Sequence, residues 1–250
     1  MHHTSAMDGY DKATYGERIV DAYDALSPAV TPGQIELLSE LAGGGPVLEL
    51  GIGTGRLALP LAEQGTEVHG IDASAAMVAK LRNKPGGSAV PVTVGDFSRF
   101  KLARQFSLVF VAFNTLFALV DQAAQVECFQ SVARHLQPGG RFLVEAFIPD
   151  LGRYQQGRQT SAVRLTLDEV HLNCALHDAP SQRVTTQHVI ITEGNCRLYP
   201  VEIRYAWPSE MDLMARLAGL ELEERWDNWD RRPYTATSFT TVSVWRAPGS

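Results

Sequence analysis

Pro46-Val47-Leu48-Glu49-Leu50-Gly51-Ile52-Gly53-Thr54-Gly55 is the stretch on which the reading of this sequence turns. Its first half is a short apolar run of strand type, broken only by Glu49, and its second half places glycine at every other position. Glycine lets the backbone turn sharply and lets a ligand approach the main chain closely. A helical pattern over residues 56–64 follows at once, so the glycines sit between a strand and a helix. Ligands of open α/β sheets bind at that carboxyl edge of the strands. Two other meanings of a glycine-rich turn fail here. A dinucleotide-binding G-x-G-x-x-G would need its third glycine where Arg56 stands, and a phosphate loop of the form G-x-x-x-x-G-K-[ST] is absent.

Outward from this turn, short apolar runs at residues 68–71, 90–94, 108–112 and 142–147 alternate with helical patterns at 74–82 and 122–136. Short apolar strands separated by helices mark a parallel sheet covered on both faces. Pro60 predicts a kink in the 56–64 helix, Gly65 its stop, and Asp121 an N-cap for the 122–136 helix. Upstream, Ile19, Tyr23 and Leu26 at helical spacing predict a helix over 15–26, and a second is expected over 32–41, closed by Gly43-Gly44-Gly45. Beyond residue 160 the pattern changes. Runs at 162–167, 170–176, 183–191 and 198–205, with turns at Asp178-Ala179-Pro180 and Glu193-Gly194-Asn195, predict an antiparallel meander. Ser209-Glu210-Met211-Asp212 reads as a capping box opening a helix to residue 218, and strands at 220–226 and 240–245 finish the chain.

The bulk composition sets limits. The chain has 250 residues, 45% of them hydrophobic, and a formal charge of −6, which suits one large α/β domain and argues against a mainly electrostatic nucleic-acid or membrane-surface binder. No apolar run reaches the ~18–20 residues of a bilayer span, and the N-terminus lacks a basic-then-apolar signal pattern, so the expected location is cytoplasmic. Cys128, Cys174 and Cys196 are widely spaced, and the seven His show no His-x-x-x-His spacing, so no metal site is expected.

Acidic residues at strand ends sharpen the meaning of the glycine turn. Asp72 closes the second strand 21 positions after Gly51, where a carboxylate can accept hydrogen bonds from a ribose diol. Gly95-Asp96 closes the third strand, where an aspartate can accept from an exocyclic amine of adenine, and Glu49 lies inside the end of the first. Each has a plainer reading as well: Asp72 as a helix N-cap, Asp96 as a turn former, Glu49 as a strand-edge charge. Their common position on one sheet edge favours a ligand site.

Over residues 46–147 and again through the last two strands, the chain resembles the class I S-adenosylmethionine-dependent methyltransferases. The turn from Glu49 to Gly55 matches that family's first motif. Ile71-Asp72-Ala73-Ser74-Ala75-Ala76-Met77 matches the second, whose acidic residue holds the ribose hydroxyls and whose methionine packs on adenine. Gly95-Asp96-Phe97 matches the adenine-binding turn, and Gln137-Pro138-Gly139-Gly140-Arg141-Phe142 the turn before the fifth strand. The resemblance implies a doubly wound, Rossmann-like seven-stranded α/β sheet with its last strand antiparallel, S-adenosyl-L-methionine as cofactor and S-adenosyl-L-homocysteine as product. Tyr15-Gly16-Glu17-Arg18, followed by Ala22-Tyr23-Asp24-Ala25-Leu26, is similar to the lid helix of glycine and amino-sugar N-methyltransferases. It implies that Tyr15 or Tyr23 faces the sulfonium and that Arg18 pairs with the methionine carboxylate. Arg56, Phe113 and Asn114 complete the expected cofactor set.

The expected domain plan is lid helices over 1–45, the cofactor-binding core over 46–150, an antiparallel β insert over 151–207 serving as substrate lid or dimer surface, and completion of the core sheet over 208–250. A sulfonium methyl is already activated, so the enzyme's task is in-line positioning and exclusion of water, with a general base needed only where the acceptor holds its proton tightly. Asn114, Glu145 and His188 are the candidate catalytic residues; Phe117, Phe147, Arg204, Tyr205 and Trp207 are the candidate acceptor contacts. Glu145 has an equal alternative as the partner of a backbone amide. Gln182-Arg183-Val184 and Arg204-Tyr205-Ala206-Trp207-Pro208 resemble actinobacterial tailoring methyltransferases, which implies a small-molecule acceptor methylated on N, O or S. Ala112-Phe113-Asn114-Thr115 stands where nucleobase and amide methyltransferases carry Asn-Pro-Pro-Tyr, which argues against a nucleic-acid partner. Methylation of RNA or protein, and cofactor binding without catalysis, are the competing readings.

Overall fold

A computed structural model describes residues 7–249; expectations touching residues 1–6 and 250 lie outside it. The chain begins with two helices, α1 (Thr14–Leu26) and α2 (Pro32–Ala42). Thr31 and Gln34 form a reciprocal capping box at the start of α2, and Gly43 closes it at φ +56°. Then come β1 (Val47–Leu50), α3 (Ala58–Glu63), β2 (Val68–Asp72), α4 (Ala75–Arg82), β3 (Val92–Val94), β4 (Phe106–Val111), α5 (Gln122–His135) and β5 (Leu136–Phe147). The insert follows as β6 (Arg158–Leu165), β7 (Glu169–Asp178), β8 (Arg183–Thr192) and β9 (Asn195–Arg204), and α6 (Pro208–Leu217), β10 (Glu221–Trp226) and β11 (Thr240–Arg246) complete the chain.

Seven strands form one sheet in the order β10-β11-β5-β4-β1-β2-β3. β1 to β5 run parallel, and β11 is antiparallel to both β5 and β10, as the family resemblance implies. Side-chain alternation divides the core into two layers. Val109, Val111, Phe142, Val144 and Trp245 face the cluster with Phe129 of α5 and Met211 and Met214 of α6. Leu108, Phe110, Leu143, Val242 and Val244 face Leu38 of α2, Leu57 at the start of α3 and Leu61 within it. The second sheet, β6-β7-β8-β9, is a separate antiparallel meander, because its alternating strands follow one another through tight turns with no crossover helix.

Three local expectations are corrected. α3 starts only at Ala58, which puts Pro60 in its first turn, where a missing N–H breaks no helical bond and no kink is needed. Asp121 stands at the N-cap of α5, yet its side chain makes no capping bond and lies instead 3.3 Å from Arg183. α6 opens with Pro208 at N1 rather than with a Ser209 box, and Asp212 accepts hydrogen bonds from Arg225 and Trp245.

Candidate active site

At the carboxyl edge of the parallel strands, Gly51, Gly53 and Gly55 all take left-handed backbone angles, with φ of +72°, +54° and +80°. A Cβ on Gly51 would fall 2.3 Å from Cγ2 of Thr115, so this position also has no room for a side chain. Gly55 serves packing: a Cβ there would press on Leu59 and Leu81 at 3.0 and 3.1 Å. The Asp72 carboxylate ties the turn together, accepting from Gly53 N–H at 2.7 Å and Ser74 N–H at 2.8 Å. Burial pushes its carboxyl above the ordinary value, against the pull of those two donors.

Helix α1 lies across this edge. Gly16 permits the approach, since a Cβ there would sit 2.6 Å from Cβ of Ser74. The Glu17 carboxylate accepts from Ser74 Oγ at 2.7 Å and from Ala76 N–H at 3.1 Å. Asp24 accepts from Thr54 Oγ1 at 2.6 Å and pairs with Lys80 and Lys84. Between α1 and the edge is a cavity of about 130 Å³, whose walls include Tyr15, Tyr23, Gly51, Gly53, Asp72, Ala73, Met77 and Phe97. Gly95 donates its N–H to the Asp72 carbonyl, and Asp96 accepts from Ser98 N–H at 2.8 Å and from Lys12 Nζ at 2.9 Å.

The residues present fit the expected cofactor. Beside the turn, two buried side-chain atoms lack a partner among the described residues: Oε2 of Glu49 and one terminal guanidinium nitrogen of Arg56. An ammonium and a carboxylate on one carbon would satisfy such a pair. Burial pushes the Glu49 carboxyl up to about 8, with Arg56 pulling it down and Asp72 adding to the rise.

A larger cavity of about 530 Å³ adjoins the first. Its floor is the loop after β4, its roof the inward face of the insert sheet. Asn114, Phe147, His188 and Tyr205 of the expected acceptor and catalytic sets line it, together with Phe113. Phe113 and Asn114 both take left-handed angles, φ +53° and +65°, and the bonds that hold this unfavourable pair are explicit. Glu145 Oε2 accepts from Phe113 N–H at 2.6 Å, Trp229 Nε1–H donates to Glu145 Oε1 at 2.7 Å, and Phe147 N–H donates to Asn114 Oδ1 at 2.6 Å. Both oxygens of Glu145 are therefore engaged in holding the loop, the backbone-amide role that its strand-end position also allowed.

Four more expected contacts stand elsewhere. Arg18 is exposed on α1 and lines neither cavity; it projects about a third of a turn from the Tyr15–Ile19–Tyr23 face. Phe117 is fully buried against Phe147, with ring centroids 5.0 Å apart. Arg204 is 5% exposed and bound to Gln125 Oε1 at 2.7 Å, Gln182 Oε1 at 3.0 Å and Glu210 Oε1 at 2.7 Å, where it fastens the insert to α5 and α6. Trp207 precedes α6, is exposed and lines neither cavity, with its ring centroid 6.4 Å from that of Tyr205. Thr115, from the loop after β4, lines the larger cavity too, and several further lining residues carry no signal in the sequence: Tyr154, Gln159, Asn173, Thr186 and Phe239. Trp229 has no periodic signal at all, because it lies in the loop between β10 and β11. Among the described residues no His, Cys, Asp and Glu group could hold a metal, and no helix is long and apolar enough to cross a membrane.

Comparison with known proteins agrees with this geometry. Residues 47–140 match the model of a family described as a methyltransferase domain. The CcbJ methyltransferase from Streptomyces caelestis superposes with a TM-score of 0.89 at 41% identity, over 96% of this chain and 100% of that one. A cypemycin N-terminal methyltransferase of Streptomyces sp is 29% identical over 236 residues, 91% of this chain and 95% of that protein. An amino pentose methyltransferase from Micromonospora echinaspora, CalS10, solved with S-adenosylmethionine bound, shares the fold at 18% identity, with a TM-score of 0.63 over 98% of this chain and 99% of that one.

Proposed function

The chain belongs to the class I S-adenosylmethionine-dependent methyltransferases, and from that we propose that it methylates a nitrogen, oxygen or sulfur atom of a small natural product seated in the larger cavity. One observation carries the reading. Tyr15, Tyr23, Thr115, Ala118 and Val201 line both cavities, so the two are neighbouring chambers with a common wall of five residues. A donor in one and an acceptor in the other would meet at that wall, where reacting atoms need to come within ~3–3.5 Å in line. The larger volume, about 530 Å³, lies in the range of small-molecule sites, ~300–1,000 Å³. The relatives point the same way: one is a methyltransferase of cypemycin, and another of an amino pentose.

The cofactor supplies a methyl group already activated on a sulfonium. The chain's own residues do the rest. Asp72 takes the ribose hydroxyls, Met77 and Phe97 enclose the adenine beside Gly95 and Asp96, and Glu49 with Arg56 takes the amino-acid end. Tyr15 and Tyr23 close over the junction, where burial pushes both phenols up and keeps them neutral hydrogen-bond donors. The insert roofs the acceptor chamber and excludes water from it.

Calorimetry with S-adenosylhomocysteine tests the reading. Asp72→Ala removes a charge-assisted acceptor worth about 1.5–3 kcal/mol, so affinity should fall roughly 10- to 150-fold. No binding by the unaltered protein at millimolar concentration would refute the reading, and unchanged affinity in the variant would refute the role of Asp72.

A further inference from the structure

We propose that His188 and His171, side by side on the roof of the larger cavity, form a proton-accepting dyad, and that the acceptor atom enters carrying a proton, as an amine or a hydroxyl does. The proposal rests on the methyl-transfer reading above and deepens it. β7 and β8 pair Asn173 with His188 and His171 with Ile190, which puts both histidines on the inward face as diagonal neighbours. Nε2 of His171 and Nδ1 of His188 are 3.2 Å apart, and the rings lie 5.4 Å apart. His188 lines the cavity, whereas His171 is 8% exposed.

The dyad's position in the chamber matters. Ile190 continues the same face and packs with Ile19 and Tyr199 in a small cluster that includes Tyr15 and Tyr23. Tyr199 is also the direct partner of His188 across β8 and β9. The dyad therefore stands at the lid end of the chamber, beside the two tyrosines that line both cavities. The charged and titratable groups around it are Arg164 on β6, paired across from His171, Tyr199 and Arg197 on β9, and the two lid tyrosines; Glu169, two residues before His171, is 3.6 Å from Arg164.

One hydrogen lies between the two rings. Placed on Nδ1 of His188 and donated to His171, it leaves the Nε2 lone pair of His188 for the cavity. Burial, with the neighbouring His171, holds His188 below its ordinary value, so the ring is unprotonated at neutral pH. Opposite His188, Asn173 also lines the cavity and has a buried side-chain oxygen without a partner among the described residues. A second N–H or O–H of the acceptor would satisfy it. In the transfer, the acceptor's lone pair forms the new bond to the methyl carbon and the pair of the breaking carbon–sulfur bond stays on sulfur. The acceptor's proton passes to Nε2 of His188, so the single positive charge moves from sulfonium to imidazolium, and the proton leaves to water after product release. His171 is a positioning residue in this scheme.

Ring-nitrogen NMR of the full chain, labelled with ¹⁵N-histidine and saturated with S-adenosylhomocysteine, tests the dyad between pH 5 and 8.5, with His188→Gln assigning the signal. The expected neutral His188 is mainly the Nδ1–H form, with a midpoint below that of an ordinary histidine. His171→Phe should remove the dominance of that form, and His171→Gln, whose amide oxygen still accepts from Nδ1–H, should restore it. A dominant Nε2–H form in the unaltered protein would overturn the proposal even if both variants failed to fold. So would a tautomer indifferent to His171→Phe. Failure of S-adenosylhomocysteine to bind would instead count against the methyltransferase reading, whereas binding with the wrong tautomer would count against the dyad alone.

Discussion

Replacing Glu145 with Gln exchanges one carboxylate oxygen for an NH2 group and leaves the shape of the side chain almost unchanged. In the unaltered protein one oxygen accepts from Phe113 N–H at 2.6 Å and the other from Trp229 Nε1–H at 2.7 Å. An amide can accept only one of them; its NH2 then faces the other donor. Hydrogen bonds to a charged group are worth about 1.5–3 kcal/mol and neutral ones about 0.5–1.5, so losing one and weakening the other should remove about 2–4 kcal/mol. For a chain of this size that corresponds to a fall in Tm of roughly 5–15 °C. The loop it holds contains two consecutive left-handed residues, Phe113 and Asn114, which relax once the anchor weakens. Thermal denaturation followed by circular dichroism measures the loss, and calorimetry with S-adenosylhomocysteine should show affinity reduced less than about threefold, because Glu145 lines neither cavity. A general base would behave otherwise: isosteric removal of its charge would leave stability within about ±0.5 kcal/mol while abolishing turnover. A Tm unchanged within about 1 °C would therefore refute the structural role.

Three further outcomes follow from individual residues. The Glu49 carboxyl, pushed up to about 8 by burial, is protonated in the free protein at pH 7, so taking up the cofactor's ammonium should release a proton; calorimetry at pH 7 in buffers of different ionisation enthalpy reads that release, and Glu49→Gln should abolish it. The same raised value implies a sign for stability: between the ordinary carboxylate range and about 8 the folded chain binds more protons than the unfolded one, so the Glu49 contribution to stability of the free protein falls as pH rises through that window, a slope that denaturant titrations should find reduced in Glu49→Gln. Gly16→Ala adds a methyl where Cβ of Ser74 is 2.6 Å away, so affinity for S-adenosylhomocysteine should fall at least about tenfold while Tm changes little, alanine being the better helix former by about 1 kcal/mol. Arg204→Ala leaves the partly exposed Glu210 carboxylate beside Gln182 and Gln122 without its cation and Gln125 without its donor, and denaturation should show a loss of about 2–4 kcal/mol; an effect confined to turnover would instead restore Arg204 as an acceptor contact.

The wound core was legible because its signals are local and redundant. Each parallel strand is an apolar run, each turn has its glycine or acid, and Asp72 follows Gly51 at a distance fixed by one βα unit. The insert was legible as a meander from alternation and turn residues, but the use of its side chains was not. Arg204 and Tyr205 are adjacent and equally suggestive as letters. Alternation along β9 sends the first toward Gln125 and Glu210, while the second reaches the cavity beside His177. The same limit applies to Glu145. Its position at a strand end could be read, but its partner Trp229 lies 84 residues away in a loop without periodicity, and only the antiparallel return of β11 brings the two together. Helical spacing could not decide Arg18: three residues after Tyr15 it stands beside the Tyr15–Ile19–Tyr23 face, and its side chain is exposed.

Helix α1 is what joins two chambers into one site, and its attachments suit an element that must open. Tyr15 and Tyr23 line both cavities, so neither chamber is closed unless α1 is down. Its ion pairs, Asp24 with Lys80 and Lys84, and that of Lys12 just before it with Asp96, have side chains between 28% and 58% exposed. Pairs of that kind contribute about 0–1 kcal/mol each. Its other polar ties include single hydrogen bonds from Ser74, Ala76 and Thr54 to Glu17 and Asp24. Its apolar anchor is small: Ile19 is the one fully packed aliphatic side chain it places in a cluster with Met77 and Tyr199. The insert, in contrast, is secured by the buried Arg204–Gln125–Glu210 network and by Ala175, Val184 and Tyr205 in the main core. Local opening draws on the least stable contacts first. Release of α1 would therefore disturb far less than release of the insert, and it would uncover the smaller cavity while the insert over the larger one stays attached. The close approach at Gly16, where an added Cβ would sit 2.6 Å from Cβ of Ser74, is the point that would set how far α1 can come down.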